Sequence, residues 1–206
     1  MGLIPPFASR REPLWRQLAE RLGGTFVNEP GAAFDKLVVH EAPWTVTLDV
    51  HDYPGYKMAE RFTRMRAPFV NADAFRFVIH RRNLFEQVTA RLGLHHALGE
   101  VATGYPEIDR DFIVRSNSPD QLRRMLANPR LRALLTALPE VHFQVRPDGG
   151  QFGPQFPEGV DELYLETPGQ VTDMARLATM FDLFAETLHS LCQIGSAYES
   201  DPHLTL

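Results

Sequence analysis

The chain has 206 residues, of which 44% are hydrophobic and 23% charged, and its formal net charge is −5. This composition is ordinary for a globular protein with one sizeable core, and the negative charge argues against a nucleic-acid partner. No apolar run is long enough to cross a membrane, and the N-terminus lacks the pattern of a secretory signal. A single cysteine, Cys192, excludes an internal disulfide. We therefore expect a cytoplasmic protein.

The first part of the chain predicts one helix and then a β-rich region. Apolar side chains recur at helical spacing over residues 9–23, where Ser9 and Glu12 have the form of a capping box. Strands are predicted at residues 25–29, 35–41, 44–52, 61–69 and 75–82. Because their connections are short and contain no helix, these strands predict an antiparallel meander.

The second part alternates helices and strands. A short helix is predicted at residues 83–92, a surface loop at 95–104 and a strand of about five residues around Phe112. Ser118 and Asn128, each followed by proline, predict the starts of two helices within residues 118–138. Strands at residues 141–145 and 161–166 follow, and then the longest helix, at residues 170–194.

These elements predict an α+β fold. We expect an antiparallel sheet of about seven or eight strands, packed against the long C-terminal helix and the short helix pair. Residues 1–206 would form a single domain, with sub-halves at residues 1–92 and 105–194 as an alternative.

Strand alternation predicts a polar face on this sheet. In residues 44–52, Asp49 and His51 lie on the face opposite Trp44 and Leu48. If the strands form one sheet, the candidate ligand-binding residues share that face, namely Asp49, His51, Arg76, His80, His142 and Arg146. We expect His80 and His142 at the surface, and the face is either open to a ligand or partner or only the solvated outside of the protein.

Motifs for catalysis and metal binding are not found in the sequence. It contains neither HExxH nor the GxSxG nucleophile elbow. Asp109 and Asp111 flank Arg110 before a strand, where local hydrogen bonds and salt bridges are their expected role. We assign no catalytic residue, no metal ligand and no cofactor, and the sequence favours a protein that is not an enzyme.

Charge is unevenly distributed along the chain. Residues 55–91 carry eight Lys or Arg and three acids, whereas residues 158–201 carry nine acids and Arg176 alone. Such segregation favours self-complementary packing, with a binding face as the alternative. The missing catalytic motifs and the segregated charge together motivate the first hypothesis for function, a non-catalytic domain that binds a partner protein or forms a homodimer.

Two further hypotheses concern small molecules. An apolar groove between sheet and helix could bind a small-molecule ligand, and its aromatic residues would be Phe62, Phe75, Phe77, Phe181 and Phe184. Alternatively, Asp49 and His51 lie two positions apart on one strand face, where they could polarise a water molecule in a hydrolase.

Residues 108–194 resemble certain bacterial domains of unknown function. The resemblance lies in an Asp-x-x-Phe-x-Val segment from Asp109 to Val114, a Ser-x-Ser-Pro-Asp segment from Ser116 to Asp120, two short helices, two strands and a long terminal helix. Those families usually have Phe-Asp where this chain has Ile108-Asp109, and they are often attached to membrane helices. The resemblance implies an α+β domain and assigns no activity.

Overall fold

The computed structural model describes residues 11–28, 35–53, 60–82, 98–147, 156–204 and 206. Within these residues the fold is α+β, as predicted, with nine strands in one antiparallel sheet and five helices. The helices are α1 Arg11–Leu22, α2 Pro106–Asp111, α3 Pro119–Leu126, α4 Pro129–Ala137 and α5 Met174–Gln193. The strands are β1 Thr25–Val27, β2 Lys36–Glu41, β3 Trp44–Tyr53, β4 Glu60–Val70, β5 Phe77–Arg81, β6 Gly99–Glu100, β7 Phe112–Ser116, β8 His142–Pro147 and β9 Val160–Pro168.

The strand order in the sheet is β1-β2-β3-β4-β9-β8-β5-β7-β6. The predicted meander is confirmed for β1 to β4 but is wrong for β5, because β9 and β8 lie between β4 and β5. Residues 71–76 connect β4 to β5. Six extended residues reach about 20 Å, more than the roughly 14 Å between strands three places apart. A short connection therefore did not require its two strands to pair.

One face of the sheet forms the hydrophobic core with the helices. We call it the helix-covered face. Its buried strand residues include Trp44, Val46, Leu48, Val50, Met65, Phe77, Ile79, Phe143, Val145, Leu163 and Leu165. From α5, the ring of Phe184 lies 5.8 Å from that of Phe143, and His189 lies 5.5 Å from Trp44. Trp15 and Leu18 of α1 are fully buried in the same core. All five described helices contribute buried side chains to this core.

Local hydrogen bonds determine where several helices begin. Asp173 accepts a hydrogen bond from the Arg176 backbone N–H at 2.9 Å, and α5 starts directly after it, four residues later than predicted. Asn128 caps α4 in the same way, through the backbone N–H groups of Arg130 and Leu131. Ser118 is the N-cap residue of α3, but its side chain makes no capping hydrogen bond. The predicted helix at residues 83–92 and the capping residue Ser9 lie outside the described residues.

The segment before β7 differs from the sequence-based expectation. Residues 106–111 form the short helix α2, and the predicted loop at 95–104 contains β6. Asp109 accepts hydrogen bonds from Thr103 N, Thr103 Oγ1 and Gly104 N at 2.8 to 3.0 Å. Asp111 pairs with Arg110 at 2.8 Å. The two acids therefore have the structural role that was predicted for them, at the entry to β7.

Candidate functional site

The candidate site lies on the face of the sheet opposite the helices. We call this surface the charged face, and its polar and charged residues include Asp49, His51, Arg64, Arg66, His80, His142, Gln144, Arg146, Glu162, Tyr164 and Glu166. One register row crosses five neighbouring strands through Asp49, Arg64, Glu166, His142 and His80. Because residues opposite one another in paired strands point to the same face, five polar side chains stand side by side.

The charged face is buried. Glu162, Glu166, His142 and Gln144 are each at most 1% exposed, and Arg64 is 6% exposed. The expectation that His80 and His142 lie at the surface is therefore wrong, as is a reading of this face as solvated. The alternation in the sequence showed which residues share a face, but it could not show that the polar face would also be buried.

Charge segregation along the chain is matched by pairing in the sheet. β4, from the basic stretch, pairs with β9, from the acidic stretch, and Arg64 lies opposite Glu166. Arg76, which precedes β5, contacts Asp161 of β9 at 3.2 Å. These contacts support the expected self-complementary packing of the two oppositely charged stretches.

Asp49 lies between two buried arginines. Arg64 donates to its carboxylate from Nε and Nη2, both at 2.8 Å, and Arg66 donates from Nη2 at 2.9 Å. Burial alone would raise the pKa of Asp49, but the hydrogen bonds and charges of the two arginines lower it below its ordinary value. Burial and the charge of Arg64 lower the pKa of Arg66, whereas Asp49 overcomes the effect of burial and raises that of Arg64.

A second cluster on the charged face is centred on Tyr164. Its hydroxyl donates to Glu166 Oε2 at 2.7 Å, and the Tyr53 hydroxyl donates to the same oxygen at 3.2 Å. The Arg146 guanidinium lies 3.7 Å from the Tyr164 ring centroid and bonds Glu162 through Nε at 2.7 Å. Burial raises the pKa of Glu166 and raises that of Tyr164 well above its ordinary value.

The histidines of this face are packed against aromatic rings. His80 and His142 are stacked, with ring centroids 6.0 Å apart, and His80 Nδ1 lies 3.2 Å from the Arg81 carbonyl oxygen. His51 packs edge-on against Tyr53 at 4.6 Å. Burial is the main cause that lowers the pKa of both His51 and His80, so the neutral imidazole is favoured at each position.

Several buried polar atoms of the charged face have no hydrogen-bond partner within the described residues. They are both amide atoms of Gln144, Arg64 Nη1, Arg66 Nε, Glu162 Oε1 and Glu166 Oε1. In folded proteins most buried polar atoms are hydrogen-bonded, so a cluster of exceptions calls for an explanation.

Two residues, Arg76 and Phe62, lie apart from the residues with which the sequence grouped them. Arg76 lies before β5, away from the register row of Asp49, and its guanidinium pairs with Asp161. Phe62 was placed in an apolar groove with Phe77 and Phe184, but it lies opposite His51 in the register, on the charged face, 5.3 Å from Tyr53. The predicted set of groove aromatics is therefore wrong for Phe62.

Six residues of the charged face were not among the predicted ligand-binding residues: Arg64, Arg66, Gln144, Glu162, Tyr164 and Glu166. The same alternation that identified Asp49 would have found them, because they alternate with apolar residues such as Met65, Phe143, Leu163 and Leu165. Whether any residue of this face binds a ligand stays a prediction.

Among the residues that the structure describes, no three His, Cys, Asp or Glu side chains form a group that could hold a metal ion. None of the described helices has both the length and the apolar composition that crossing a bilayer requires.

Comparisons with known proteins give one structural likeness. No protein-family model matches the chain, and no curated protein sequence matches it. Among solved structures, it is similar to the crystal structure of the mycobacterial trehalose monomycolate transport factor A, TtfA, with a TM-score of 0.49 and 12% identity over 87% of this chain and 97% of that chain. This likeness carries no conclusion about function. The resemblance of residues 108–194 to a bacterial family of unknown function stays a prediction.

Proposed function

We propose that this chain is a non-catalytic binding domain that takes a small polar ligand at the charged face. The observation that carries the proposal is Gln144, which is 1% exposed and has no hydrogen-bond partner for either amide atom within the described residues. An amide has two donors and an acceptor oxygen, and burying them unmatched destabilises the folded protein by about 1 to 3 kcal/mol. A ligand with matching polar groups would remove that penalty.

The surroundings of Gln144 support the same proposal. It lies beside Tyr164 in the register, and Tyr164 lies beside Arg66, whose Nε also has no partner within the described residues. The unmatched donors and acceptors thus belong to neighbouring strands of one face. A binding site that fixes a ligand by a few converging polar groups has this arrangement.

Two of the three hypotheses drawn from the sequence, the protein partner and the hydrolase, receive less support from the contacts. The oppositely charged stretches that suggested a protein partner lie next to each other within the chain, where Arg64 is opposite Glu166 in the register. In the hydrolase hypothesis Asp49 would act as a base, but both its oxygens accept hydrogen bonds from arginines, and its pKa is lowered. A carboxylate so stabilised is a poor proton acceptor. A protein partner or homodimer stays a prediction.

Thermal unfolding in the presence of small polar compounds tests the proposal. The set would contain amino acids, organic acids, sugars, sugar phosphates and nucleosides, each against the parent protein and the variant Gln144→Leu. A ligand at one hundred times its Kd stabilises the folded state by about 2.7 kcal/mol, so we expect at least one class to raise the Tm of the parent and not that of the variant.

The matched control is Gln17→Leu, the same substitution at an exposed position of α1. It should respond to every compound as the parent does. Gln144→Leu should itself fold with parent-like or higher stability, because it removes unmatched polar atoms without removing a hydrogen bond. If no compound stabilises the parent, or if Gln144→Leu responds equally, a binding role for the charged face is wrong.

A further inference from the structure

The balance of charges around Asp49 indicates which chemical class of ligand the charged face would bind. Arg64 and Arg66 are both buried, and both donate to the Asp49 carboxylate. Two cations therefore share one anion. The neighbouring pair of Arg146 and Glu162 is balanced, with Arg146 Nη2 and Glu162 Oε2 2.6 Å apart. Glu166 lies opposite Arg64 in the register, but the hydrogen bonds it accepts come from Tyr53 and Tyr164. The two guanidiniums that share one carboxylate by direct hydrogen bonds thus lie on the side of the face formed by β3 and β4.

The donors around Asp49 are also in excess. Arg64 turns Nε and Nη2 towards Asp49 as a fork, which leaves Nη1 without a partner within the described residues. Arg66 reaches the carboxylate with Nη2 alone, and its Nε has no partner in that part of the chain either. Because both guanidiniums converge on Asp49 Oδ2, the two spare donors belong to neighbouring groups. Guanidinium donors in this arrangement suit the oxygens of a carboxylate or phosphate.

We propose that the ligand carries a single anionic group, of the carboxylate or phosphate type, and that Arg64 Nη1 and Arg66 Nε hold it. The inference rests on the proposed function, since it names the class of ligand for the same face. The two guanidiniums share the Asp49 carboxylate alone by direct hydrogen bonds, and their two spare donors suit one further anionic group. Glu162 and Glu166, whose Oε1 atoms have no partner within the described residues, would repel a second anionic group on the side formed by β9.

Gln144 would bind a neutral part of the same ligand. It lies two strands from Arg66 in one register row, with Tyr164 between them, so the two backbones are about 10 Å apart. The amide can both donate and accept, which suits a hydroxyl, amide or heterocyclic nitrogen of a ligand. The ligand we infer is therefore a small monoanion with a neutral polar group at its other end.

Acetate and inorganic phosphate serve as probes of the anionic site. Each would be titrated against the full chain at constant ionic strength set with sodium chloride, while thermal unfolding and the NMR resonances of the arginine Nε–H groups are recorded. We expect at least one of the two anions to raise the Tm and to shift the Arg66 Nε–H resonance. A response to acetate alone identifies a carboxylate, a response to phosphate alone identifies a phosphate, and a response to both supports the shared chemistry.

Arg66→Met is the diagnostic variant because it leaves the forked pair of Arg64 and Asp49 in place. A hydrogen bond to a charged group contributes about 1.5 to 3 kcal/mol, so the variant should bind the anion about ten- to a hundredfold more weakly. The control is Arg61→Met, on the same strand, where Arg61 is half exposed and pairs with Asp52. It should keep the affinity of the parent.

The inference is wrong if neither anion raises the Tm at up to about 100 mM, a range that covers the mM affinities of weak ligands. An unchanged anion response in Arg66→Met would equally overturn it. A neutral compound that stabilises the parent in a Gln144-dependent way, with no anion response, would leave the proposed function in place and remove only the anionic class. The loss of every Gln144-dependent response would remove the proposed function itself.

Discussion

Both faces of the sheet are buried, but burial contributes to stability in different ways on the two faces. On the helix-covered face, Leu48, Met65 and Leu165 stand in one register row and are stabilised by leaving water. On the charged face, burial is unfavourable unless each polar group finds a partner. The first face should therefore lose stability in proportion to the volume removed. The second should respond to whether a charge keeps its counter-charge.

Truncation of the helix-covered face should have the largest effect. Phe143 is fully buried between Phe77 and Phe184, at ring distances of 5.5 and 5.8 Å. We expect Phe143→Ala to lower the free energy of unfolding by about 4 kcal/mol, from lost burial and from the cavity left behind. Urea titration followed by circular dichroism measures it. Tyr198→Ala, at an exposed position, is the control and should change stability by about 0.5 kcal/mol or less.

Removal of the Asp49 carboxylate, which two arginines share, should cause the next largest loss of stability. Asp49→Asn changes little volume but removes the carboxylate that both buried arginines contact, and we expect a loss of about 3 kcal/mol. The control is Glu12→Gln, which breaks an ion pair with Arg16 on the surface of α1 and should change stability by about 0.3 to 0.5 kcal/mol. Equal losses in the two variants, by the same urea titration, would contradict the buried role of Asp49.

The two arginines should respond unequally. Arg64 makes two hydrogen bonds to Asp49 and Arg66 makes one. Arg64→Met removes the better partner, and we expect a loss of about 3 kcal/mol. Arg66→Met removes the second guanidinium and keeps the forked pair, so we expect a change within about 1 kcal/mol, since apolar side chains replace buried charges at little cost. A larger loss in Arg66→Met than in Arg64→Met would show that Arg66 is the more important partner of Asp49.

The smallest expected effect is a pH dependence from His80. Burial, with smaller contributions from Arg115 and Arg82, lowers the pKa of His80 below its ordinary value of 6.5. The unfolded chain therefore binds a proton below about pH 6.5 while the folded protein does not, and stability falls as the pH drops from there. We expect His80→Asn to lose less stability than the parent between pH 7.5 and 5.5, measured by urea titration at both pH values.

Burial shifts the pKa values of other groups on the charged face as well. Comparing His80→Asn with the parent separates the contribution of His80 from theirs. The raised pKa of Glu166 acts in the opposite direction, since its contribution is lost as the pH rises through its folded pKa. The contribution of Glu166 remains in His80→Asn. His203→Asn is the control, because His203 is exposed and has φ +56, a conformation that Asn tolerates. The same pH slope in all three proteins would exclude His80 as its source.

Much of the fold could be predicted because periodicity reports burial on one side of an element. The alternation from Trp44 to Val50 identified β3 and its apolar face, and the spacing of Phe181, Phe184 and Leu188 identified α5. Strand order could not be predicted in the same way. Nothing local in β4 or β5 specifies that β9 and β8 lie between them, since that order depends on contacts between distant parts of the chain.

The candidate site was predicted only in part, and for a related reason. Asp49 and His51 stood out because their neighbours in β3 are apolar. In β4 the pattern is interrupted, because Phe62 lies on the charged face and Thr63 on the other. The sequence pattern therefore did not distinguish Arg64 and Arg66 from ordinary surface charges. Burial of a polar face has no periodic signature of its own, so its discovery required the structure.

The position of β5 and β9 in the sheet also has a consequence during synthesis on the ribosome. β1 to β4 can pair as soon as Val70 has emerged, but the free side of β4 waits for β9. About a hundred further residues must be translated first, which takes roughly 5 to 20 seconds. For that time the nascent chain presents an open strand edge next to Arg64 and Arg66, and edge charges of this kind discourage pairing with another chain. The arginines would thus protect the growing protein before the acidic residues of β9 have been made.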